Sequence, residues 1–96
     1  MTDVVTTVGS GSRPRLPRGV RLKHDPARGE WFLLAPERVV KADNIAVEIL
    51  RRCDGTATLD AIVDDLAQHF SADRARIQTD VKALLAELAA KRMMDL

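Results

Sequence analysis

Glu30-Trp31-Phe32-Leu33-Leu34-Ala35 is followed by Pro36 and then by Arg38-Val39-Val40-Lys41. The first stretch is rich in aromatic and branched residues and apolar on both faces, which predicts a central strand. Pro36 has no N–H to give to a ladder and breaks the pairing, so Arg38–Lys41 starts afresh as a very short strand. On the N-terminal side, Val20 and Leu22 alternate with Arg21 and Lys23, the period of two that marks a half-buried strand. Asp25-Pro26-Ala27-Arg28-Gly29 lies between, a turn in which proline presets φ and glycine accepts positive φ. Three strands joined by short turns form an antiparallel meander.

The remainder is helical. Asp43 is an N-cap ahead of Ile45, Ile49, Leu50 and Cys53, and Asp54-Gly55 ends that helix. Thr58 caps a second helix with Leu59, Ile62, Val63, Leu66 and Phe70 at offsets 0, 3, 4, 7 and 11, one apolar stripe. Ser71 or Asp73 caps a third, which carries Ile77, Val81, Leu84, Leu85 and Leu88 at offsets 0, 4, 7, 8 and 11. It runs to about Lys91, where Lys91 and Arg92 suit the negative end of the helix dipole. Strands grouped before helices predict an α+β domain of order βββααα, with the helices packed on one side of the sheet.

A chain of 96 residues forms one domain with one thin core. Residues 1–17 read as a flexible tail or linker: Gly9-Ser10-Gly11-Ser12 is linker composition, and Pro14 and Pro17 favour extended backbone. The folded domain is expected over residues 18–96. No apolar run approaches the ~20 residues of a membrane span, and no basic segment followed by an apolar one marks a secretory signal. A lone cysteine, Cys53, fits a reducing compartment, so a cytoplasmic location away from membranes is expected. The net charge of +1 argues against a dedicated nucleic-acid binder. Six basic residues against one acid between Arg13 and Arg28 form a local basic run that could steer an acidic partner or simply be solvated.

Catalytic constellations are missing from the pattern. His24 and His69 are far apart and neither has a second metal ligand at helical spacing, so surface positions are expected and no metal or cofactor is assigned. Cys53 falls on an apolar stripe and reads as core. What remains is geometry. One outer strand of the meander offers unpaired N–H and C=O groups, which are either a protected flank or a docking edge. The stripe on the third helix is wide enough for the core plus part of a groove, though core packing alone would also explain it.

The blocks Arg18-Gly19-Val20-Arg21-Leu22, Trp31 to Val39 (Trp-Phe-Leu-Leu-Ala-Pro-Glu-Arg-Val) and Ile49-Leu50-Arg51-Arg52-Cys53-Asp54-Gly55, with the spacing between them, resemble the PqqD family. The resemblance runs from about Pro14 to Leu96. It implies a winged-helix-like RiPP recognition element, a non-enzymatic peptide chaperone of pyrroloquinoline quinone biosynthesis. Such a chaperone binds the precursor peptide PqqA and presents it to the radical SAM enzyme PqqE. In this group the peptide adds as a strand at the third strand and lies against the third helix. Carried onto this chain, the peptide-binding residues are Arg38, Val39, Val40, Lys41, Ile77, Val81, Leu84 and Leu85.

Two other classes compete. A winged-helix nucleic-acid binder needs a basic recognition helix, whereas the second helix carries Asp60, Asp64 and Asp65 and no Lys or Arg. A dimerisation module would pair its free edge with a second copy; a monomer, rather than a stable homodimer, is expected.

Overall fold

In the computed structural model, which describes Gly9 and residues 11–96, the element order is βββααα as the sequence pattern predicts. β1 spans Arg21–Asp25, β2 Glu30–Ala35 and β3 Arg38–Ala42, and α1 Asn44–Arg51, α2 Leu59–Phe70 and α3 Arg74–Ala90 follow. The sheet is antiparallel with β2 in the middle. Leu22 pairs with Leu33 and Leu33 with Val40, so these three side chains share one face. Leu33 is buried there against the helices. Phe32, Leu34, Val39 and Lys41 point to the other face, which no helix among the described residues covers. Gly29 closes the β1–β2 turn at φ +66°, a conformation that costs an L side chain strain.

Each helix begins where a short polar side chain can accept a hydrogen bond from an otherwise orphaned N–H. Asp43 accepts from Ala46 N, Thr58 from Ala61 N and Asp73 from Arg76 N. Of the two candidates for α3, Asp73 is the cap, and Ser71 instead closes α2 in the left-handed conformation. The helices pack through Leu50, Leu59, Ile62, Val63, Leu66, Val81, Leu85 and Leu88, all buried. Cys53 joins them. Charges then pin the helices at their solvent rim. Arg74 reaches both Asp60 and Asp64, joining α3 to α2, and Arg52 bridges Glu48 and Asp65, joining α1 to α2.

The domain begins earlier than Arg18. The pattern places residues 12–17 in a flexible tail, yet they lie strapped across the helical side, with Pro14 fully buried and Leu16 against the core. Arg15 and Asp95 exchange two backbone hydrogen bonds of 2.9 Å, Gly55 N donates to Pro14 O, and Leu59 N donates to Ser12 O at 2.7 Å. The last bond satisfies a free N–H at the start of α2. Gly55 sits at φ +84°, strained for an L side chain, and a Cβ there would lie 3.1 Å from the Arg15 side chain and crowd the strap. The C-terminal end is tied through Asp95, and Met93 and Met94 just before it are buried. The expectation for residues 1–8 and 10, including Val4, Val5 and Val8, lies outside the described residues.

Two outcomes follow from this arrangement. Truncation to a chain starting at Arg18 should lower the free energy of unfolding by about 2–4 kcal/mol, from the lost backbone bonds of the strap and an uncovered core. Urea unfolding measures it, and an unchanged midpoint would show that the strap carries no stability. Asp54 stands at the same crossing, and its carboxylate accepts from Thr56 N, the Thr56 hydroxyl and Ala57 N. These bonds, with the Thr56 backbone N–H foremost, lower its pKa from 3.8 to about 2. Between these values the unfolded chain binds more protons than the folded one, so acid favours unfolding. The contribution is complete above about pH 4 and disappears as pH falls through about 2. Thermal unfolding of Asp54→Ala between pH 5 and pH 2 should show a shallower decline than the parent.

Candidate functional site

β3 is hydrogen-bonded to β2 on one side only, and its other edge carries no strand among the described residues. Every second N–H and C=O of such an edge points outward, ready to pair with an extended chain. Arg38, Val40 and Ala42 turn their side chains towards the helices, as does Leu33, which pairs with Val40. Val39 and Lys41 turn away; Val39 is 67% exposed, and the Lys41 ammonium pairs with Glu30 at 2.7 Å.

Two hollows mark the ends of this edge. At its C-terminal end, Asp43, Ile45, Ala46 and Ile49 face Asp80 and Leu84 across a cleft of about 260 Å³. At its N-terminal end, Arg38 faces Lys91, Arg92 and Met93 across a depression of about 250 Å³, with Pro17 and Arg18 on its rim. The start of β3 therefore lies by the end of α3, and the end of β3 by the middle of α3. Strand and helix run in opposite directions along a shared flank. Ile45, at the mouth of the cleft, is 47% exposed.

The four β3 residues expected to bind peptide, Arg38, Val39, Val40 and Lys41, all lie on this edge. On α3 the expectation needs correction. Of Ile77, Val81, Leu84 and Leu85, only Leu84 is part-exposed and lines the cleft. Ile77, Val81 and Leu85 are core residues, buried against the neighbouring elements, and back the flank from beneath. The stripe is wide because α3 needs that width to cover the core; only its margin reaches solvent.

Sequence reasoning missed Ile45, Asp43 and Asp80 as cleft residues. A signal for Ile45 was present. Val47 lies about 200° around the helix from it, so one buried face cannot take both. Val47 is buried, which leaves Ile45 outside. Asp43 and Asp80 gave no local signal, because only the fold brings an N-cap and a mid-helix residue to one cleft.

Elsewhere the polar groups have structural partners. The Arg52 hydrogen bond holds the Glu48 carboxyl below its ordinary pKa. Burial pushes the Cys53 thiol up to about 12, and its Sγ contacts Ile49 O at 3.2 Å, so it is a packed side chain and a poor nucleophile. His24 is exposed and stacks at 4.6 Å on Trp31, whose ring also receives the Arg51 guanidinium at 5.0 Å. His69 lies on α2 beside Phe70, on a different element from His24. Among the described residues no three His, Cys, Asp or Glu side chains are placed to share a metal ion. No helix among them is long and apolar enough to cross a membrane.

Comparison with known proteins places the chain in a family context. Residues 30–94 match the family described as coenzyme PQQ synthesis protein D (PqqD). A PqqA binding protein of Rhodopseudomonas palustris (strain BisB5) is 54% identical over 85 residues, 88% of this chain and 83% of that protein. The PqqA binding protein of Xanthomonas campestris pv. campestris (strain B100) is 48% identical over 92 residues, 96% of this chain and all of the relative. Among solved structures, the fold matches the solution NMR structure of the PqqD truncation of Methylobacterium extorquens PqqCD, described as a functional and stand-alone RiPP recognition element. The TM-score is 0.83 with 43% identity over 95% of this chain and 97% of that one. The crystal structure of PqqD from Xanthomonas campestris matches at TM-score 0.60 and 49% identity, over 94% of this chain and 100% of the other. With the family profile covering every element from β2 to the end of α3, and relatives near half identical along almost their whole length, this chain belongs to the PqqD family.

Proposed function

We propose that this protein is a peptide chaperone of pyrroloquinoline quinone biosynthesis. It binds the precursor peptide PqqA as an added strand on β3 and presents it to the radical SAM enzyme PqqE. The observation that carries this reading is the one-sided pairing of β3, with a hollow near each of its ends, one lined by Asp80 and Leu84 of α3 and the other by Lys91, Arg92 and Met93 just past it. Val39 and Ile45 are exposed beside that edge, where an added strand would cover part of each. The names of the relatives, PqqA binding proteins, supply the ligand.

The physical chemistry suits the role. Main-chain bonds along an edge hold an extended peptide with little demand on its sequence, and pockets at the ends select particular side chains. The peptide loses conformational freedom on binding, and a preformed edge keeps that cost to one partner. The chaperone itself performs no chemistry. It works in the cytoplasm as a monomer, and docking on the enzyme raises the local concentration of the held peptide. The basic run from Arg13 to Arg28 is the surface we assign to the enzyme. The acids of α2 speak against a nucleic-acid helix: Asp60, Asp64 and Asp65 are all engaged with arginines of neighbouring helices.

Titration of the 15N-labelled protein with PqqA should shift the amides of Arg38–Lys41, Ile45 and Leu84 most. Shifts that cluster on β1 or α2 instead would overturn the site. Ile45→Ala should weaken PqqA binding roughly ten-fold by calorimetry, through loss of an apolar contact worth about 1.4 kcal/mol. Its thermal midpoint should stay within a few degrees of the parent, because Ile45 is exposed and lies outside the buried core. Undiminished affinity would remove the cleft from the binding surface.

A further inference from the structure

The flank between β3 and α3 is electrically polar along its length. The cleft at the end of β3 has an apolar floor and two carboxylates, Asp43 and Asp80, with no basic residue lining it. The carboxylate of Asp43 accepts the capping hydrogen bond from Ala46 N at 2.8 Å. Asp80 has no ion pair with any described residue. The depression at the start of β3 is lined by Arg18, Arg38, Lys91 and Arg92 against a single acid, Glu37. Lys91 pairs with Glu87 at 3.1 Å, whereas Arg18, Arg38 and Arg92 have no ion pair with any described residue. The margin of α3 repeats the order: Asp80, then Leu84, then Lys91 fall on one line along the helix, since offsets of 4 and 11 return to nearly the same face.

We infer that this flank selects a charge-split peptide, carrying a cationic side chain against Asp43 and Asp80 and an acidic one against Arg38 and Arg92. The inference rests on the peptide-binding reading above and adds to it which side chains the edge discriminates. From Arg38 to Asp43 an extended chain advances about 17 Å, so the two peptide charges sit roughly five residues apart. An aliphatic stem suits the floor of Ile45, Ile49 and Leu84, so the cationic residue is a lysine or arginine whose methylenes pack below its charged end. Strand direction becomes a matter of charge order. A peptide antiparallel to β3 presents its cation first and its acid second; a parallel one presents them in reverse. Main-chain pairing alone would accept a chain in either sense, and like charges brought together reject the wrong one.

The test is a charge-reversal cycle read by calorimetry at low salt, with PqqA and a series in which each of its Lys and Arg residues is replaced in turn by Gln. Asp80 is exposed on α3, so Asp80→Lys leaves the core untouched. This substitution should weaken PqqA binding by roughly five-fold or more, with the loss shrinking as salt rises. Against one Gln-substituted peptide the loss should fall below about two-fold, which identifies the cation that sits in the cleft. Arg38→Glu should behave in the same way towards a peptide lacking one acid. Affinities within two-fold of the parent for both variants, or a loss of equal size against every peptide, overturn the inference while leaving strand addition intact. A parent protein that does not bind PqqA overturns both readings.

Discussion

Leu33 is buried on both flanks, between Leu22 and Val40, and beneath the helices, and the architecture follows from that placement. It makes β2 the middle strand and fixes the register of both neighbours, because a slip of one residue would turn Leu33 and its partners to solvent. The described residues supply three strands, and their helices cover one face of the sheet. Such a sheet must leave two edges, and at β3 the chain passes straight from Ala42 through the Asp43 cap into α1. The turn from strand to helix sets Ile45 and Ile49 beside the end of the edge. An N-cap thereby does two jobs at once: it starts a helix, and it puts a carboxylate at the mouth of a cleft.

Most of this order is legible in the amino-acid sequence. The caps Asp43 and Thr58, the stripes on α2 and α3, the meander and the resemblance to the PqqD family all rest on local spacing, and local spacing is what periodicity reports. The strap and the C-terminal residues are not legible there. Pro14, Leu16, Met93 and Met94 have no amphipathic rhythm, and their burial depends on Arg15 pairing with Asp95, a contact between opposite ends of the sequence. Proline beside a glycine-serine stretch looks like linker whether or not something distant receives it.

The site shows the same division. The β3 edge is legible as an outer strand through its length and flanking breaks, while spacing alone leaves open whether it is a protected flank or a docking edge. The α3 contribution is overread: Ile77, Val81 and Leu85 share a stripe with Leu84, and spacing alone cannot say which margin of a stripe reaches solvent. That depends on how α3 is rotated against α2, which Arg74 and its two aspartates help to set. Asp43 and Asp80 are invisible for a different reason, since a charge acquires meaning as part of a pocket only when a second element is brought opposite.

The pairing of Arg15 with Asp95 brings the entering and leaving chain side by side. A domain whose two ends meet can be spliced into a surface loop of another protein, or hung from it by either end, without bending its own framework. Pro17 and Met93 also line the hollow by Arg38, so a host attached at this doorway would stand near the basic end of the β3 flank, and its position would favour approach from that side.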